Sequence, residues 1–167
     1  MKPIDADDYF ELVMRGFAHL KLLETDEMTI FTEDIFKFRW MTNLRFNSFI
    51  TLADELDAAT LNYYTLKCFG MAKQGRSKLG EPYVCNAAVI SADVKQDAID
   101  YALKRPRHHS NSSEYPIVID LARGETYYYT GPIIHGILYE KFEREYINGH
   151  FAMPLGVLKQ KQLEGGR

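Results

Sequence analysis

The chain has 167 residues, a length that matches one domain of roughly 100 to 200 residues. Hydrophobic residues make up 46%, aromatic ones 13% and charged ones 26%, which excludes disordered, collagen-like and coiled-coil classes. A net charge of −3 lacks the basic excess of a dedicated nucleic-acid binder, so any basic surface has to be local.

The first eight residues are acidic, with Asp5, Asp7 and Asp8, and have no signal-peptide-like apolar run. No stretch of 18 apolar residues follows, and the expectation is a soluble, cytoplasmic protein without membrane association. The same aspartates suit a helix start. Phe10, Val13, Phe17 and Leu20 recur at helical spacing, predicting an amphipathic helix over 6–24.

From 35 to 41 aromatic and basic residues alternate, and Leu44, Phe46, Ile50 and Leu52 continue beyond Thr42-Asn43 as the second strand of a hairpin, although the spacing of Phe36, Trp40 and Leu44 also suits a helix. Ala58, Leu61, Tyr64, Cys68 and Met71 lie on one helical face, predicting a helix over 55–73. Pro82 introduces a strand over 83–90, and Asp93 is placed to cap a short helix over 93–104 that Pro106 ends. Strands over 115–121 and 125–130 flank Ala122-Arg123-Gly124 as a second hairpin. Gly131-Pro132 then opens a helix in which Ile134, Leu138, Phe142 and Tyr146 recur every four residues. Residues 158–167 lack apolar periodicity and read as a flexible C-terminal tail. This order predicts an α+β fold: a mixed or antiparallel sheet packed against three to four helices, in a single domain over 1–157.

Cys68 and Cys85 have no CxxC or zinc-ligand context and read as reduced core thiols. The run from Gly70 to Ser77 has the GxxxxG spacing of a phosphate loop. It carries Arg76 where such a loop needs Lys, and a strand rather than a helix is expected after it. Glu140, Glu143 and Glu145 alternate with Lys141 and Arg144, a pattern that reads as a solvated helix face. With His135 they do not complete a ligand set, so no metal or cofactor is indicated. In Tyr127-Tyr128-Tyr129, alternate phenols point to opposite sides of a strand, leaving at least one exposed.

Charge is unevenly placed. Residues 67–81 and 104–114 together hold seven basic residues against two acidic ones, a net +5, which leaves −8 on the remaining chain. A strand over 83–90 and a returning helix bring these two segments to one end of the domain, and the second hairpin brings the start of the last helix there too. Arg76, Lys78, Arg105, Arg107 and His135 are therefore the candidate ligand-binding residues of a non-catalytic binding or regulatory protein. The expected ligand is anionic: a phosphate-bearing small molecule, a nucleic acid or an acidic protein partner. The alternative is a phosphoester hydrolase or nuclease, in which His108, His109 or His135 transfers protons and the arginines stabilise negative charge. His108 and His109 are expected in an exposed loop.

Overall fold

The computed structural model describes residues 2–18, 20–25, 28–37, 42–74, 82–109, 112–132 and 137–165. Helix α1 (Ala6–Gly16) is followed by strands β1 (Lys21–Glu24), β2 (Thr29–Lys37) and β3 (Thr42–Leu52), helix α2 (Ala58–Gln74) and strand β4 (Tyr83–Ser91). Helix α3 (Gln96–Ala102) precedes strands β5 (Arg107–His109), β6 (Ser112–Asp120) and β7 (Glu125–Tyr127). A long C-terminal helical segment comprises α4 (Ile137–Ile147), one π-helical stretch (Asn148–Ala152) and α5 (Met153–Gly165). The strands lie in the order β1-β2-β3-β4-β6-β5, with β7 paired to β6 as a seventh. The class is α+β, with a mixed sheet between helices in a single domain.

β1, β2 and β3 form an antiparallel meander, whereas β3, β4 and β6 are parallel to one another. Parallel neighbours need crossover connections, and α2 and α3 supply them. Both connections step across the sheet in the same direction, so right-handed crossovers place both helices on one face. Ala72, Cys68 and Leu61 of α2 and Ala98 and Ala102 of α3 pack there against Cys85, Ala87 and Val89. The C-terminal helical segment and α1 cover the other face, over Phe31, Phe46, Val84, Ile90, Tyr115 and Ile117. Covered on both sides, β4 is buried at all nine positions, which explains its nearly unbroken apolar run.

The helix expected over 6–24 is shorter. Asp5 caps it, accepting from the Asp7 and Asp8 amides at 2.9 and 3.2 Å, but it ends at Gly16. Residues 21–24 pair with 29–32 of β2 instead: a cross-strand partner outweighs helical periodicity at the end of a short helix. Val13 and Phe17 are buried as the spacing requires, Phe10 and Leu20 are half-buried, and Asp7, Asp8 and Glu11 stay in solvent. Tyr9, outside that stripe, is fully buried and donates its hydroxyl to the Phe151 carbonyl at 3.0 Å.

Two further boundaries differ. Lys95 occupies the N-cap of α3, while the Asp93 carboxylate pairs with the Lys95 ammonium at 3.0 Å instead of capping. The residues expected as a tail remain helical through Gly165: Leu158 packs on the core and Lys159 reaches Glu125 at 3.7 Å. The first hairpin is present, with β2 beginning at Thr29 and Lys37 paired to Thr42; residues 38–41, expected in its first strand, lie outside the described residues. In the second hairpin Gly124 has φ +62°, a conformation that a side chain would strain, and a Cβ there would meet Lys159 at 3.0 Å.

Candidate functional site: the β5 edge

α3 is followed by the buried Pro106, and the chain turns into β5, which pairs antiparallel with the beginning of β6. Pairing of Tyr83 with Ser112 sets the starts of β4 and β6 at the same end of the sheet, and β5 lies at that end. The hairpin strand β7 runs antiparallel to β6 towards it. His108 and His109, expected in a loop, therefore belong to a strand; an edge strand of three residues leaves no apolar pattern to recognise.

Period-two alternation decides what each residue meets. Arg107 and His109 face α2: the Arg107 guanidinium donates to Asn62 Oδ1 at 3.3 Å, and the His109 ring stacks on Phe69 with centroids 4.4 Å apart. Tyr101 of α3 donates to the same Asn62 oxygen at 2.8 Å, fixing the amide that receives Arg107. His108 points the other way, with Nδ1 3.3 Å from the Ser113 hydroxyl. Its pKa is held below the usual imidazole value, first by partial burial and then by the positive charges of Arg105 and His109.

His109 Nε2 lies 2.6 Å from Glu114 Oε1. The histidine side chain is 44% exposed and the carboxyl side chain 3%, so a buried acid holds an accessible imidazole by one edge. The second Glu114 oxygen, Oε2, is buried and has no hydrogen-bond partner among the described residues. Glu114 carries no signal in the sequence as a functional residue, because its pairing with His109 arises only when β5 folds back onto β6. Its neighbour across the parallel pairing, Cys85, is a buried free thiol whose pKa burial pushes well up, with Cys68 and Glu114 adding to the shift. Burial pushes the Cys68 thiol up to about 12.

Of the candidate residues, Arg105, Arg107, His108 and His109 are thus together at one end of the sheet. Arg76, Lys78 and His135 lie outside the described residues. Gly70 sits inside α2, so the GxxxxG spacing begins in a helix rather than after a strand, the reverse of what a phosphate loop requires. The charged face expected on the last helix is divided. Glu145 is exposed and 3.8 Å from Lys141, but Glu143 is buried at 3% exposure, and the side chain of Glu140 lies outside the described residues. Tyr127 donates to Glu125 Oε2 at 2.6 Å and Tyr129 to the Pro132 carbonyl at 2.9 Å, both tied locally. Among the described residues no group of three or more His, Cys, Asp or Glu is placed to hold a metal ion, and no helix is long and apolar enough to cross a membrane.

Comparison with protein-family models, with curated proteins and with solved structures finds no match for this chain.

Proposed function

We propose that the protein is a small binding or regulatory protein whose β5 end recognises an anionic ligand. The carrying observation is that Arg107, His108 and His109 form an exposed edge strand, with the exposed Arg105 just ahead of it. Burial first, and then the charges of Arg105 and His109, lower the His108 pKa, so a local positive field adds to the effect of burial there. Exposed phosphate, nucleic-acid backbone or the carboxylates of a protein partner match that edge equally, and buried unpaired Cys68 and Cys85 suit a cytoplasmic setting. The test is fluorescence anisotropy with a labelled oligothymidylate, ATP and a polyglutamate peptide across a salt series. At least one probe should bind, more weakly as salt rises, because exposed charges are screened over about 8 Å at physiological ionic strength. Arg105→Glu with Arg107→Glu should weaken that binding at least tenfold without lowering Tm; salt-independent binding, or binding unchanged in the double variant, refutes the reading.

The His109–Glu114 pair favours a second reading, hydrolysis of a phosphoester. A buried acid that orients an accessible imidazole is the arrangement a general base needs. His109 would take the proton of an attacking water, and Arg107 would stabilise charge on the phosphoryl oxygens. A bis(p-nitrophenyl) phosphate assay separates the two readings: turnover lost in His109→Ala supports chemistry, and binding without turnover leaves the first.

A further inference from the structure

The face of the sheet under the C-terminal helix buries a row of polar side chains. Ser48, Asn86 and Tyr115 are registered neighbours on β3, β4 and β6, and all are at most 1% exposed. Ser48 Oγ is 3.3 Å from the Tyr146 hydroxyl of α4. Among the described residues both polar atoms of the Asn86 amide are without a hydrogen-bond partner, and the Tyr115 hydroxyl makes no hydrogen bond of good geometry. Into this row α4 inserts Glu143, whose carboxyl neighbours the Tyr115 phenol and adds to burial in raising that phenol's pKa.

We propose that Glu143 is a proton-controlled latch: its neutral carboxyl lets the C-terminal helical segment seat on the sheet, and loss of that proton loosens the segment. Burial disfavours a charge on this carboxyl, and the Tyr115 phenol offsets that only in part. From β6 the group facing it is the Tyr115 phenol, whose pKa burial pushes further up, with Tyr129 beyond β7 nearby. On α4 itself, Tyr146 bonds Ser48 and is turned towards Glu33 of β2, an acid that cannot neutralise a carboxylate. Arg144, the next residue on α4, donates to the Gly131 carbonyl and lowers the pKa of Tyr115. His150, one turn beyond Tyr146, stacks on Phe17 at 4.3 Å and meets the Tyr146 ring at a tilt, 4.4 Å between centroids. Burial accordingly raises the Glu143 pKa from 4.5 to about 7, with the Tyr115 phenol acting in the opposite direction.

The direction follows from linkage. The seated helix holds the proton more tightly than the released one, so seating is strongest below about pH 4.5, weakens as pH rises from there to about 7, and changes no further once both states are ionised. The π-helical stretch at Asn148–Ala152 follows α4 directly and carries the buried Phe151, which links movement of Glu143 to the packing of α5.

Hydrogen exchange at pH 5, 6, 7 and 8, corrected for intrinsic rates, tests this on the intact protein. Protection of amides 146–155 should fall about tenfold per pH unit from 5 to 7 and then level, on the order of a hundredfold overall, while amides 61–68 of α2 change less. Glu143→Gln keeps the neutral shape and should abolish the fall. Equal losses in the variant, flat protection in the natural protein, or equal losses in α2 would each overturn the proposal. Should the variant not fold, NMR titration of the Glu143 side-chain carboxyl in the natural protein decides: a midpoint near 7 supports the latch and one near 4.5 overturns it.

Discussion

The two faces of strand β4 are built by opposite means. Towards α2 and α3 it presents Cys85, Ala87 and Val89, which meet small or slender partners such as Cys68, Ala72, Ala98 and Ala102. Towards α1 and the C-terminal helix it presents Val84, Asn86, Ala88 and Ile90 beneath an aromatic layer that includes Phe17, Phe31, Phe46, Tyr146 and Phe151. The first face is assembled from consecutive crossovers, whose short connections bring neighbours in sequence together. The second is closed by elements from the two ends of the chain, and it is the one that buries Asn86, Tyr115 and Glu143. Distant closure lets a helix bring polar groups over a strand whose own pattern is apolar, and such groups are where titration can couple to packing.

Substitutions on the two faces should break differently. Phe17 stacks on Phe31 with ring centroids 4.3 Å apart and on His150 at 4.3 Å, so it joins both chain ends to the sheet. Phe17→Ala should cost about 3 to 5 kcal/mol in denaturant unfolding, the largest loss expected from a single truncation here. A loss under about 1 kcal/mol would mean that the aromatic layer is peripheral to stability. On the other face the failure should come from adding volume. Ala87→Leu, inserted where small residues let α2 approach, should cost about 1 to 3 kcal/mol through overpacking. A neutral result would show that α2 shifts freely and that the small-residue face is not tightly packed. The smallest effect belongs to the rim: Lys159→Ala removes a 3.7 Å ion pair whose side chains are 33% and 51% exposed, and should change stability by less than about 1 kcal/mol. A larger loss would assign α5 docking to charge rather than to Leu155 and Leu158.

Much of the frame was legible in advance because it rests on local chemistry. Asp5 sets the start of α1, Pro82 precedes the central strand, Pro106 follows α3 and Gly124 supplies the hairpin turn. The gathering of Arg105, Arg107, His108 and His109 at the end of the sheet where β4 begins also follows from connection rules. What local patterns misread were residues 21–24, drawn into a strand by β2, and residues 158–165, held helical although their own pattern is weakly amphipathic.

By itself, then, the sequence determined the α+β class and most element positions, because spacing, capping and turn chemistry act within a few residues. Only the tertiary structure decided that Glu114 holds His109, that Asn62 receives Arg107 and that Glu143 is buried rather than solvated. Each of those outcomes joins residues on different elements, where orientation, register and desolvation settle the chemistry and spacing along the chain carries no record of it.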